Sequence, residues 1–228
     1  MAAVILRENY DQLLHNLLEQ VLLLGSMVED NVHCSVNAFI QRNHHVARRV
    51  AELDQNINDK RYAIEDTCVT LIVTQQPMAR DARFIIAVLE ISTELERMGD
   101  YAKGIAKITQ LMGENPVDAT LLAALQQMEE IGLQMLRRSL DAFYHRDIKV
   151  AREIPSVDDR VDRLYYRIYN HLANSMIYNQ TSVENANYVL WAAHNLERLA
   201  DRVANICERT VYMETGELLE LATNEDIA

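Results

Sequence analysis

Glycine and proline are scarce, six and three in a chain of 228 residues. A turn-rich β-sandwich or barrel needs far more of both, so their scarcity points to long, uninterrupted helices. Valine, isoleucine and threonine never alternate with polar residues for long enough to form half-buried strands. Cys34, Cys68 and Cys207 are isolated and have no metal-ligand spacing, which suits a reducing cytoplasm and small helical core residues. Basic residues number 22 against 34 acidic ones, a formal net charge of −12. That balance argues against nucleic acid, whose affinity comes from lysine and arginine on phosphate, and against direct binding to an anionic membrane. No apolar run approaches the roughly 18 residues of a membrane span, because Glu19, Glu29 and Asp30 interrupt the best candidate. No basic segment opens the chain, so no targeting peptide is expected and the protein is expected in the cytoplasm. A glycine-rich phosphate loop, a nucleophile elbow, a zinc-protease helix and the Glu-x-x-His pairs of di-iron enzymes are all missing.

What is present is apolar periodicity. The spacing predicts a first helix over about Tyr10 to Arg42, with Leu13, Leu14, Leu17, Leu18, Val21, Leu24, Val28, Val32 and Val36 inward. A turn around Asn43-His44-His45 leads to a second helix over about Val46 to Thr74, with Val50, Leu53, Ile57, Ile64, Cys68 and Leu71 inward. Pro77 suits the first turn of a third, running to about Met112, and Gly113-Glu114-Asn115-Pro116 stops it.

The second half repeats the first. A shift of 104 residues aligns Ala38-Phe39 with Ala142-Phe143, Arg42 with Arg146 and Asp54 with Asp158. A shift of 101 aligns Val88, Ile91, Leu95, Met98, Ala102, Ile105, Thr109 and Met112 with Val189, Ala192, Leu196, Leu199, Val203, Ile206, Thr210 and Met213. The three-residue difference falls in the turn Pro77–Asp81, matched by Thr181–Glu184, because loops absorb length changes. The chain is thus expected to be all-α: two tandem three-helix bundles over 1–114 and 115–216, with an acidic, frayed tail over 217–228. Pro155, where the first half has Ala51, should bend the fifth helix or restart it near Ser156.

Each third helix carries one motif: Leu95-Glu96-Arg97-Met98-Gly99-Asp100, and again Leu196-Glu197-Arg198-Leu199-Ala200-Asp201. Glu and Asp four apart stack on one helical face and repel unless a cation sits between them. In the seam register both pairs lie on an outer face. Asp158 and Asp162 form a further stacked pair on the fifth helix, and an antiparallel neighbour brings them opposite Glu197 and Asp201. Four carboxylates from two helices make an oxygen-rich site for Mg, Mn, Fe or Zn. Glu208, two turns beyond Asp201, could extend it, and His194, three residues before Glu197, could join. The first half offers Asp54, Glu96 and Asp100, but Asn58 stands in place of Asp162 and Lys107 in place of Glu208, so the second half should bind metal more tightly.

Together these residues resemble the PhoU family of phosphate-specific transport system accessory proteins. The resemblance rests on the duplicated units, the repeated Leu-Glu-Arg-x-x-Asp motif and Arg80-Asp81-x-Arg83 at the head of the third helix. It implies six helices, a homodimer, and divalent or trivalent metal ions on Glu96, Asp100, Glu197 and Asp201, with Asp54, Asp158 and Asp162 opposite. It also implies a cytoplasmic regulator rather than an enzyme, one linking the ATPase of a phosphate ABC transporter to a PhoR-type sensor histidine kinase. Such a protein restrains phosphate uptake and the starvation response, and meets the membrane only through its partners. Gly99 and Asn205 keep features the family often shows beside the motif, whereas Ala200 and Gly104 depart from them. The competing reading from the residues alone is a carboxylate-ligated metalloenzyme of helical-bundle type.

Overall fold

The turns show the duplication most directly. Helix α1 (Ala2–Gln41) ends at Arg42, whose φ of 53° is left-handed, and the Asn43 amide donates to Ala38 O at 2.8 Å. Helix α4 (Ala119–His145) ends at Arg146, φ 57°, with the Asp147 amide donating to Ala142 O at 2.8 Å. The next helix is then capped in the same way each time: the side chains of Asn43 and Asp147 accept the amides of Val46 and Val150.

The computed structural model describes residues 2–113, 116–177 and 183–221, with side chains from residue 10 onward. After α1 come α2 (His44–Gln75) and α3 (Arg80–Leu111), then α4. The fifth predicted helix is broken, as Pro155 requires, into α5 (Ile148–Glu153), a single 3-10 turn (Pro155–Val157) and α6 (Asp159–Ile177). Helix α7 (Val183–Thr215) completes the second unit. The described residues form no strand.

All sixteen seam positions of α3 and α7 are buried. Thr109 and Thr210, polar members of the seam, return their hydroxyls to the carbonyls of Ile105 and Ile206. Helix α3 packs on α1 and α2, α7 packs on α4 and α6, and α3 also packs along α7. One apolar cluster therefore runs through both units, from Leu17 to Met213. Gly25 lets α1 approach α4, because a Cβ there would overlap Leu140.

Several expectations are corrected. His44 and His45 are helical, since Asn43 alone caps α2. Helix α3 starts at Arg80 rather than Pro77, because Gln76 and Ala79 take positive φ and turn the chain first. Leu13 and Leu53 are 42% and 41% exposed, on the flanks of their helices rather than on the inward stripes. Cys34 is exposed, while Cys68 and Cys207 are buried. Glu114, Asn115, Thr181, Ser182 and the tail from residue 222 lie outside the described residues; residues 217–220 are exposed and not helical.

Candidate functional site

Ile154 and Pro155 are buried, anchoring the 3-10 turn against α7 and delivering Asp158 to the head of α6. Asp158 is 3% exposed; Asp162 follows one turn later. Across from them, on α7, stand the half-buried Glu197 and Asp201. The structure brings these four carboxylates together: Asp162, Asp201 and Glu197 all raise the Asp158 carboxyl, and Asp158 and Asp201 share a hydrogen bond.

The electrostatics follow from that crowding. Burial, then repulsion by Asp162 and Asp201, pushes Asp158 up to about 8. Burial and repulsion by Asp201 and Asp162 push Glu197 up to about 7. Burial also raises Asp201, while its bond to Asp158 and the nearby Arg202, Arg198 and His194 pull it back. The cationic side chains do not settle into the cluster. Arg198 lies over the Tyr101 ring, 4.7 Å from its centre, and Arg202 reaches Glu94. His194 Nδ1 is 3.2 Å from Glu197 Oε2 but off hydrogen-bond geometry, so that oxygen has no donor among the described residues. Asp158 Oδ1, also buried, has none either. Buried carboxylate oxygens without donors are rare and costly, and a cation would satisfy them.

The first half is built differently. Asp54 is 2% exposed, yet its Oδ2 accepts Lys103 Nζ at 2.6 Å and Asn58 Nδ2 at 3.2 Å. Lys103 Nζ also lies 3.7 Å from Asp100 Oδ1, and the bond to Asp54 raises the lysine. Glu96 is half-buried and raised by burial and by Asp100, with Arg61 and Arg97 acting in the opposite sense. Asp100 is exposed. Gly99 permits the close crossing, since a Cβ there would meet Ile57 at 3.1 Å and Asp54 Oδ1 at 3.6 Å. The cation in this half is thus Lys103; Lys107, expected there from the repeat, is exposed. The outer-face expectation for Glu96 and Asp100, and for Glu197 and Asp201, holds fully only for Asp100, which is exposed; Glu96, Glu197 and Asp201 are half-buried.

Glu208 stands apart from the four, accepting the Leu221 amide at 2.9 Å. Three interactions were not legible as sites. Glu94, 7% exposed, accepts Asn205 Nδ2 at 2.9 Å and Arg202 at 3.5 Å across the α3–α7 contact, and Arg97 of its own helix at 3.1 Å. Glu214 accepts both Arg80 and Arg146 near 2.9 Å, while Arg83 Nε donates to Met213 O, so the Arg-Asp-x-Arg segment clasps the end of α7. His33 Nδ1 and Glu129 Oε1 pair at 2.7 Å between α1 and α4. Unlike residue types at repeat-equivalent positions (Asn205 against Gly104) signal the first of these.

Among the described residues, no group of three or more His, Cys, Asp or Glu side chains is arranged to hold a metal ion as it stands. The second-half donor set nevertheless fits one chemically: four carboxylates, two of their buried oxygens without donors, and no lysine among them. The first-half set does not fit, because an ammonium already neutralises it.

Comparison with known proteins gives concordant matches. The PhoU domain family model matches residues 21–109 and 125–210. The PhoU homolog of Streptococcus pneumoniae serotype 4, a phosphate-specific transport system accessory protein, is 37% identical over 95% of this chain and 100% of its own length. The Escherichia coli PhoU accessory protein is 33% identical over 90% of this chain and 84% of its own. The crystal structure of the phosphate transport system regulatory protein PhoU from S. pneumoniae superposes with a TM-score of 0.87 at 35% identity, covering 93% of this chain and 100% of that one. PhoU from Pseudomonas aeruginosa superposes with a TM-score of 0.85 at 28% identity, over 91% and 100%.

Proposed function

The chain belongs to the PhoU family, and from that premise we propose that it is a regulator of phosphate uptake whose second-half carboxylates bind a metal ion. It acts in the cytoplasm as an adaptor, coupling the ATPase of a phosphate ABC transporter to a PhoR-type sensor kinase. When phosphate is plentiful it restrains both uptake and the starvation response. The matched relatives are named accessory or regulatory proteins, which supports an adaptor over the metalloenzyme reading.

The observation that carries the metal reading is the buried Asp158 Oδ1, without a donor among the described residues and facing three further carboxylates. Asp158, Asp162, Glu197 and Asp201 would hold the ion. Bound there, a divalent or trivalent cation such as Mn, Zn, Fe or Mg supplies positive charge that offsets their repulsion. The protein's own part is positional: the 3-10 turn fixes Asp158, and the α7 seam fixes Glu197 and Asp201 one turn apart. An ion shared by α6 and α7 would tie those helices together and so stiffen one face of the second unit.

The test is genetic and biochemical together. Deleting the gene is expected to switch on a phosphate-starvation reporter in high phosphate, the intact gene to silence it, and a Glu197→Ala/Asp201→Ala allele to silence it less. An unchanged reporter on deletion would reject the regulatory reading. Metal analysis of protein purified without chelator addresses the ion separately.

A further inference from the structure

We propose that Lys103 is the resident cation of the first half, so that metal binding is confined to the second half and a single lysine decides between the two states. This inference rests on the metal reading above only for its second arm.

The two clusters are equivalent by descent but not in charge. Asp54 and Asp158 are repeat-equivalent and both all but inaccessible, at 2% and 3%. A buried carboxylate must be paired, protonated or bound to a metal. Asp54 is paired: Lys103 Nζ sits 2.6 Å from its Oδ2 and 3.7 Å from Asp100 Oδ1, between the acids of α2 and α3. Asn58 completes the arrangement by donating its amide to the same Oδ2, an interaction that aspartate at that position could not provide. Asn58 and Lys103 therefore belong to one solution. The second half reverses both choices, with Asp162 at the Asn58 position and Ala204 at the Lys103 position. Ala204 brings no charge, and Asp158 Oδ1 is left without a donor among the described residues.

The reciprocal exchange tests this with the full-length protein. In the metal-free protein, Lys103→Ala is expected to lower the melting temperature, and Ala204→Lys to raise it by supplying the second half with its missing ammonium. A melting temperature for Ala204→Lys at or below that of the native protein overturns the proposal. The second arm measures Mn2+ and Zn2+ uptake after chelator stripping. Ala204→Lys is expected to lose the second-half ion, weakening uptake at least roughly tenfold. Lys103→Ala is expected to take up more metal per chain than the native protein, the extra uptake vanishing on adding Asp54→Asn. Where the native protein binds metal and Lys103→Ala binds no more, the lysine is not the determinant and the proposal falls alone. Where neither binds metal, the metal reading falls, and the metal-free melting arm still decides the role of the lysine. Lys103→Met, which keeps the aliphatic stem, separates lost charge from lost packing: recovery of the native melting temperature would overturn the charge argument.

Discussion

Replacing Asp158 by asparagine is expected to stabilise the metal-free protein at about pH 8, where most loss-of-contact substitutions would weaken it. Folding raises the Asp158 carboxyl from 3.8 to about 8. Over that interval the folded chain holds a proton that the unfolded chain has released. The associated stability is complete below the unfolded value and is lost as pH climbs through the folded one. Glu197, raised from 4.5 to about 7, contributes with the same sign. One unit corresponds to about 1.4 kcal/mol, but water at the half-exposed Glu197 and Asp162 screens the repulsion, so we assign Asp158 about 2 kcal/mol at pH 8. In a chain of this size that equals a shift of about 4–8 °C in Tm. The assay is a thermal melt by circular dichroism in EDTA across the range from about pH 5 to about pH 8.5. The gap between Asp158→Asn and the native protein should open as pH rises and be small at the acid end. A gap independent of pH, or a variant less stable throughout, would refute the argument. Adding Mn2+ at the alkaline end should raise the native Tm and leave Asp158→Asn unmoved.

Because protons and metal compete for the same oxygens, calorimetric titration with Mn2+ should give an affinity at least roughly tenfold weaker near pH 5.5 than near pH 8. Glu94→Ala should cost about 2–4 kcal/mol in urea unfolding, since it strands Arg202 and Asn205 in the α3–α7 contact. Glu214→Ala removes an anchor shared by Arg80 and Arg146, whose side chains are 59% and 38% exposed, so a smaller loss of about 1–2 kcal/mol is expected in the same experiment.

The apolar scaffold was legible in the sequence because burial and helical period are local properties. Each of Val88 to Met112 and Val189 to Met213 in the seam occupies its expected buried position. Pro155 announced its break for the same reason, since a ring without an N–H acts on its own turn. What failed depended on the flanks of helices and on partners far away in sequence. Leu53 carries the right period for the core, yet Asp54 beside it is the buried residue, which only the position of Lys103 explains. The repeat nominated Lys107 as the interfering cation because it aligned with Glu208. In space neither belongs to the carboxylate clusters: Lys107 is exposed and Glu208 accepts the Leu221 amide. His33 and Glu129, 96 residues apart, carried no signal at all.

The break at Pro155 also bears on why the two halves answered the same electrostatic problem differently. Asp54 and Asn58 sit in the middle of α2, where every backbone amide is already engaged and the helix offers an anion nothing. Asp158 precedes α6 directly, and Asp159 and Asp162 lie in its first turn. The positive end of a helix dipole favours carboxylates in the first turn by about 0.3–1 kcal/mol each, although the Val161 and Asp162 amides there are already held by Asp158 O. The second half keeps an extra aspartate where the first has an amide, with this dipole contribution on its side. It is smaller than the repulsion among four crowded carboxylates, however, and Asp158 remains raised to about 8 in spite of it. The acidic cluster thus keeps an excess of negative charge, which a proton on Asp158 offsets up to about pH 8 and the proposed metal ion would offset in its place. In the first half, where α2 runs unbroken past Asp54, Lys103 supplies the positive charge instead.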